Sequence, residues 1–338
     1  MIELKKITCD NWEECTNLKI TDEQEEKDFV PSNIYSLAQA KRLPRNGTIG
    51  IICPSHVADM ERYITIARSM EKLGFKVKFG ENMQKNTYGY AASAEERADD
   101  LNAFVADDSV QMVLFSGGES AVEILPYIDY ENIRRNPKLF SSYSDGTSIL
   151  NAIYAQTGLV TYYGAGASVF FDLRHYDYMQ FCSHFVDGYN AGQFISDSEW
   201  KTLCAGNCEG ILIGGYSYLF GLMLANRYFK YDTNKKYILF LEDHEKFSDV
   251  GAVSSYLAFI GQSAFMYNVT GLIFGHYSVN VPEDLLRCLE RFGVKHNIPV
   301  VYTDDFGHGT RHAILPIGIN ANFDAENQCM IYNGEFCE

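Results

Sequence analysis

The stretch "LFSGGESAVEILPYIDYENI", residues 114–133, decides how the chain reads. An apolar, strand-like run ends on Gly117 and Gly118, and a helix-like segment follows. Hydrolases of layered α/β folds carry a serine nucleophile at such a sharp strand-to-helix turn. Ser120 is the first candidate. Its offset within the turn matters, because one residue along a helix is a rotation of about 100° and a rise of about 1.5 Å.

Working outward, "TIGIIC" and "KVKFG" read as strands on either side of the helical pattern "VADMERYITIARSMEKLGF", which Gly74 closes. "SAEERADDLNAFVAD" opens with Ser93 as N-cap and Glu96 three residues on, the spacing of a capping box. "VQMVLFS", "LFSSY" and "LVTYYG" are further strands, with "TSILNAIYAQTG" a helix among them. Strands separated by helices predict parallel βαβ units, and therefore a layered parallel α/β sheet for residues 44–165. Residues 166–208 are less regular and read as a linker or crossing segment. Residues 209–338 again mix strands ("KYILFLED", "TGLIFGHYS", "IPVVYTDDFGHG") with helices and form a second, mixed β/α domain.

Composition bounds the function classes. With 338 residues, 46% hydrophobic and 21% charged, the chain is long enough for two domains of ordinary size. A net charge of -16 argues against a nucleic-acid surface, which needs clustered Lys and Arg. The absence of a long apolar run or a basic-then-apolar leader predicts a cytoplasmic protein that does not enter a membrane. Nine cysteines at irregular spacing read as reduced thiols, Cys53 and Cys182 in the core. Cys204 and Cys208 have a CxxxC spacing without a second ligand pair, a weak zinc signal. A second metal reading would use Asp304, Asp305, His308 and His312 in "DDFGHGTRH", but a His pair at i and i+4 needs a helix, and this segment is glycine-rich. No cofactor motif is present.

From residue 44 onward the chain resembles the LD-carboxypeptidase family, which includes the microcin C immunity proteins. The matching pieces, in order, are "GTIGIICPS", "EERADDLNAFVADDSVQMVLFSGGE", "ILPYIDYENIRRNPKLFSSYSDGTSILNAIYAQTGLVTYYG", "EGILIGG", "LFLEDHEK" and "DFGHGTRHAILPIG". The resemblance implies a cytoplasmic serine peptidase, often a homodimer, with a Ser, His and Glu triad. Its reaction cleaves an amide next to a terminal group of a small peptide, as in peptidoglycan recycling, or of a peptide-nucleotide.

Two triad positions carry over, His308 in "FGHG" and Glu242 at the end of "YILFL", with Asp243 beside it as a strand-end carboxylate in a surface ion pair. The resemblance also places Lys246 near the substrate's terminal group and Gly117 and Gly118 at the oxyanion turn. Asp145 in "SYSDGT" reads as a turn or N-cap residue. In relatives the serine stands third after the glycine pair and three places before the "LLPYIDY"-like run, so the resemblance puts the nucleophile position at Ala121, one place after Ser120. Tyr216 and Tyr218 stand where relatives carry asparagines, and Glu119 adds a negative charge to the turn. These departures open an alternative: a catalytically impaired homologue that binds such a ligand without cleaving it, its turn still able to hold an oxyanion. Residues 1–43, with "FVPSNIYSLAQA", resemble the opening of a Gcn5-related acetyltransferase and are expected to be an appendage.

Overall fold

The computed structural model describes residues 42–186 and 192–333. The appendage expected over residues 1–43 lies outside the described residues but for its last two.

The first sheet forms as the alternation predicts. Strands β1 (Thr48–Ile52), β2 (Lys76–Phe79), β3 (Val110–Phe115), β4 (Leu139–Ser142) and β5 (Thr161–Tyr163) run parallel. Helices α1 (Met60–Lys72), α2 (Ala94–Ala106), α3 (Tyr130–Arg135) and α4 (Gly146–Thr157) lie between them in sequence. Side chains alternate across each strand, so β3 buries Met112 and Leu114 on one face and Val113 and Phe115 on the other. Both faces are apolar because helices cover both, which is the usual condition of a parallel sheet. The capping box read from Ser93 and Glu96 is present, with Ser93 accepting from Glu96 N–H at 3.2 Å and Glu96 accepting from Ser93 N–H at 2.9 Å.

Residues 166–208 hold more regular structure than a crossing segment. A 3₁₀ helix (Ala167–Phe171), helix α5 (His175–Phe181) and strand β6 (Lys201–Cys204) lie in it, and β6 joins the second sheet. That sheet runs in the order β13 (Cys329–Asn333), β12 (Asn320–Asp324), β7 (Asn207–Tyr216), β8 (Tyr237–Glu242), β9 (Val269–His276), β10 (Val300–Gly307), β6. Its β7 to β10 are parallel, while β6 and β12 pair antiparallel, so the second unit is mixed as expected. Helices α6 (Ser217–Met223), α7 (Val250–Gln262) and α8 (Glu283–His296) complete it.

Two features tie the units together. Strand β11 (Leu315–Ile317), from the C-terminal half, returns to the first sheet and pairs antiparallel with β5. Helix α4 packs against β7, where Asn151 Nδ2 donates to the Gly214 carbonyl at 2.9 Å. The glycine pair of "EGILIGG" makes this approach possible: a Cβ on Gly215 would stand 2.5 Å from Thr147 Oγ1, and its φ of +137° is one that side chains rarely adopt. One apolar cluster therefore runs through both units, from Ile149 and Ile153 of α4 to Leu212 of β7 and Phe240 of β8.

Candidate active site

The site lies where β4 ends and α4 begins. Ser144 occupies that turn with φ of +57°, one of three non-glycine residues with positive φ among those described. A non-glycine residue in this region carries backbone strain and is held there by its surroundings. The turn is tight: a Cβ on Gly146 would stand 2.2 Å from Ser142 Oγ, so only glycine fits two places after Ser144. Strand, sharp turn with serine at its tip, and helix together form the nucleophile-elbow arrangement. It appears one βα unit later than the stretch at 114–133.

The second unit delivers the partners. Glu242 ends β8 fully buried, and His308 follows β10. His308 Nδ1 is 2.8 Å from Glu242 Oε2, and His308 Nε2 is 2.8 Å from Ser144 Oγ. Burial pushes the His308 imidazole down, but the Glu242 charge and hydrogen bond, helped by Asp243, outweigh it and raise it above the ordinary histidine value. Gly307, with φ of +108°, turns the chain beside Glu242, where an added Cβ would lie 3.1 Å from the carboxylate.

The residues expected at the nucleophile position are engaged elsewhere. Ala121 is fully buried at the start of a 3₁₀ helix (Ala121–Tyr127), and its N–H donates to Asp145 Oδ2 at 2.7 Å. Ser120 Oγ donates to the Ser55 carbonyl at 3.1 Å and accepts from Arg97 Nη1 at 3.0 Å. The hydroxyl that meets His308 is that of Ser144. The glycine turn lies beside the Ser144 turn: a Cβ on Gly117 would lie 3.7 Å from Ser144 Cβ.

Asp145 joins the two turns. Its carboxylate accepts from Ser55 Oγ at 2.5 Å and from Ala121 N–H, so it is a bridge and makes no side-chain cap on α4. Burial pushes this carboxyl up despite those donors. Arg97, itself buried, donates to the Pro54 and Ser120 carbonyls and pairs with Glu123, holding the far side of the turn. His56 Nδ1 lies 2.9 Å from the Gly117 carbonyl oxygen. In a trans peptide this orients the Gly118 N–H away from His56. Gly118 has φ of +149°, and a Cβ there would meet Ser55 Cβ at 2.3 Å, so the position requires glycine.

Asp243 is fully buried rather than in a surface ion pair. It accepts from Ser217 Oγ at 2.5 Å and from His244 N–H at 2.8 Å, and burial pushes it up to about 6. Lys246 and Glu119 are exposed. Aromatic rings wall His308: Tyr143 at 5.5 Å, Tyr216 at 5.6 Å and Phe247 at 5.0 Å between centroids. Tyr218 stands one ring further out, 6.5 Å from Tyr216.

The four residues of the metal reading do not converge. His308 is held by Glu242, His312 by Asp177 at 3.2 Å, Asp304 by His276 at 2.7 Å, and Asp305 by Trp200 Nε1 at 3.1 Å. Among the described residues no cluster of His, Cys, Asp and Glu could hold a metal ion, the CxxxC pair included. Sequence reasoning missed Ser144, Tyr143, Tyr163 and Phe247. For Ser144 a signal existed in the order Ser-x-Ser-x-Gly between an apolar run and a helix, a near form of the G-x-S-x-G elbow.

A layered α/β frame that sets a serine, a histidine and a buried glutamate in hydrogen-bond sequence has the arrangement that serine hydrolases use. The chain belongs to the LD-carboxypeptidase family: residues 49–164 match its N-terminal domain and residues 209–323 its C-terminal domain. It is 29% identical over 314 residues to a probable murein peptide carboxypeptidase of Bacillus subtilis, covering 89% of this chain and 97% of that one. It is similar in structure to an MccF-like protein from Bacillus anthracis, with 26% identity, a TM-score of 0.76, and 86% and 98% of the two chains covered. Microcin C7 self-immunity protein MccF, solved in complex with aspartyl sulfamoyl adenosine, shares the fold at a TM-score of 0.78 and 22% identity, over 89% and 99% of the two chains.

Proposed function

We propose that the chain is an active serine peptidase of this family, with Ser144 as nucleophile, His308 as general base and acid, and Glu242 as the group that orients the imidazole. The observation that carries this reading is the unbroken line from Glu242 through His308 to the Ser144 hydroxyl, each step 2.8 Å. Ser144 Oγ attacks the substrate carbonyl while His308 Nε2 takes its proton, and Glu242 stabilises the imidazolium that forms. His308 then returns that proton to the leaving nitrogen as the C–N bond breaks, and water releases the acyl group by the same steps in reverse roles. The N–H groups of Gly118 and Asp145 are the oxyanion donors in this scheme, one from the glycine turn and one from the residue after the nucleophile.

The substrate class is a small peptide or peptide-nucleotide cleaved next to a terminal group, as the names of the relatives indicate for those proteins. Lys246, exposed and four residues after Glu242, suits a terminal carboxylate, and the rings of Tyr216, Tyr218 and Phe247 suit an apolar or planar neighbour. A cytoplasmic homodimer acting in peptidoglycan recycling, independent of nucleic acid and membrane, completes the proposal. The net charge of -16 supports the part of it that concerns nucleic acid, and no helix among the described residues is long and apolar enough to cross a membrane. The alternative, a ligand-binding homologue without activity, draws on Ala121 at the family's nucleophile position together with Tyr216, Tyr218 and Glu119.

The deciding experiment treats purified protein with a fluorophosphonate probe, maps the labelled peptide, and assays murein tetrapeptide and an aminoacyl sulfamoyl adenosine for cleavage. Label on Ser144 with turnover of either substrate is the expected result. No label and no turnover would return the chain to the binding-protein reading.

A further inference from the structure

A track of aromatic rings leads outward from His308 along the second unit. Between centroids, Phe247 lies 5.0 Å and Tyr216 5.6 Å from the imidazole, Tyr218 lies 6.5 Å from Tyr216, and Tyr256 lies 5.3 Å from Tyr218. Tyr218 and Tyr256 also line a groove of about 350 Å³ where α6 packs against α7, together with Gly221, Leu222, Phe259 and Ser263. None of the described residues that line it is charged. Phe247, Leu222 and Phe259 are 61%, 54% and 71% exposed. Single apolar residues on a surface need no explanation, but an adjoining set around a concavity marks a place of contact.

The backbone keeps this groove open. Gly221 lies within α6, where glycine is the poorest helix former but for proline. Neither a positive φ nor a close approach requires it there: an added Cβ would meet Ile260 Cγ1 at 3.9 Å, an ordinary contact. What glycine does at 221 is leave the groove wide, since it lines the groove and a side chain there would narrow it.

We propose that the groove between α6 and α7 seats an apolar tail, an acyl chain or a large apolar side chain, of a peptide ligand whose terminal group lies at His308. The proposal rests on the reading of His308 and Glu242 as the reacting centre, and which hydroxyl His308 serves does not enter it. Both oxygens of Glu242 are engaged, one by His308 at 2.8 Å and one by the Tyr163 O–H at 2.6 Å, so an arriving terminal group meets the imidazole and not the carboxylate. From there the rings offer apolar faces in succession, and a peptide extended at about 3.3–3.6 Å per residue reaches the groove within about five residues. An uncharged tail buried there takes apolar surface out of water on both partners and desolvates no charge.

The test uses two tetra-alanine peptides with a free carboxylate, one capped by acetyl and one by octanoyl, each with its last amide replaced by a ketomethylene group so that neither is cleaved. Calorimetry gives their affinities for the full chain, for Gly221→Leu, which fills the groove, and for Phe259→Ser, which removes an exposed wall of it and leaves the core intact. The octanoyl peptide is expected to bind the unmodified protein on the order of tenfold to a hundredfold more tightly, as for about two or three methylene groups taken fully out of water. In Gly221→Leu that advantage is expected to shrink to within about threefold, and in Phe259→Ser to fall several-fold, with the acetyl peptide unchanged in both. Should Gly221→Leu not fold, Phe259→Ser decides alone. Equal affinities in the unmodified protein, no measurable binding of the octanoyl peptide, or an advantage that survives in the variants overturns the proposal. So does a fall in oligomeric state on Phe259→Ser by sedimentation, which gives the face to a second copy of the chain. Cleavage of the corresponding amide peptides is scored separately: its absence, with the octanoyl advantage intact, tells against the peptidase reading and leaves the groove assignment standing.

Discussion

His308 Nε2 stands 2.8 Å from the hydroxyl oxygen of Ser144, although 164 positions separate them in the chain. The contact joins a turn of the first unit to a loop of the second, so the reactive pair exists only when the two are packed together. Replacing Ser144 with alanine is expected to lower kcat by roughly 10⁶ without unfolding the protein, as loss of a triad nucleophile does elsewhere. Ser120→Ala should keep its label and most of its activity. Mass mapping of fluorophosphonate adducts, read beside initial rates, checks both, and label lost in the Ser120 variant would restore the earlier candidate.

The raised His308 fixes a pH dependence. A general base acts when neutral, so kcat/KM should rise with pH through a midpoint above the ordinary histidine value of about 6.5. In Glu242→Gln the burial of the ring is left with only Asp243 against it, so the midpoint moves down, and the plateau rate falls by about 10⁴. The same shift is a stability linkage. Because the folded value exceeds the unfolded one, its contribution is complete below the unfolded value and is lost as pH rises through the folded one. Thermal melts of the parent and Glu242→Gln across that window should diverge on the acid side and converge on the alkaline side.

Ala121→Ser distinguishes the two placements of the nucleophile. The methyl group is fully buried, so a hydroxyl there enters an apolar wall. The expected result is a loss of about 1–3 kcal/mol in urea unfolding with no gain in turnover. A gain in turnover would show that position 121, and not 144, is the attacking site.

Arg97 offers a test of how the glycine turn is held. Its guanidinium serves the carbonyls of Pro54 and Ser120, the Ser120 hydroxyl and Glu123 from a buried position. Arg97→Met keeps the bulk and removes every donor, and should cost about 2–4 kcal/mol through the carbonyls left unpaired. A fall in kcat with KM nearly unchanged would place the oxyanion donors downstream of this support. Equilibrium unfolding and steady-state kinetics on the same preparation separate the two effects.

Much of the frame could be read from local sequence, because local rules govern it. The Ser93 and Glu96 pair announces its helix through a bond pattern set by three-residue spacing, and the strands announce themselves by apolar runs between turns. Glu242 and His308 were found through motif order, and the structure brings them together. Ser144 was hidden because Ser and Asp at the start of a helix are ordinary turn and capping residues, and nothing in "SYSDGT" by itself reveals the positive φ or the distant imidazole. Tyr163 was hidden for a related reason. A tyrosine in a buried strand reads as core, and only its need for a hydroxyl partner hints at more.

The return of β11 to the first sheet bears on how the gene can be divided. The boundary between the two matched family regions suggests separable halves, but β5 would lose its partner along Thr161–Tyr163 if the chain were cut there. The N-terminal fragment would then expose a raw sheet edge with Tyr163 on it, a template for aggregation. The C-terminal fragment would carry "LPI" as an orphan apolar strand, one that tolerates its proline because it lies on a sheet edge. Fragment expression should therefore give insoluble pieces singly and a soluble protein only on co-expression, which makes the boundary between the matched regions a natural split point for a reporter of protein–protein proximity, with β11 as the strand that rejoins the halves.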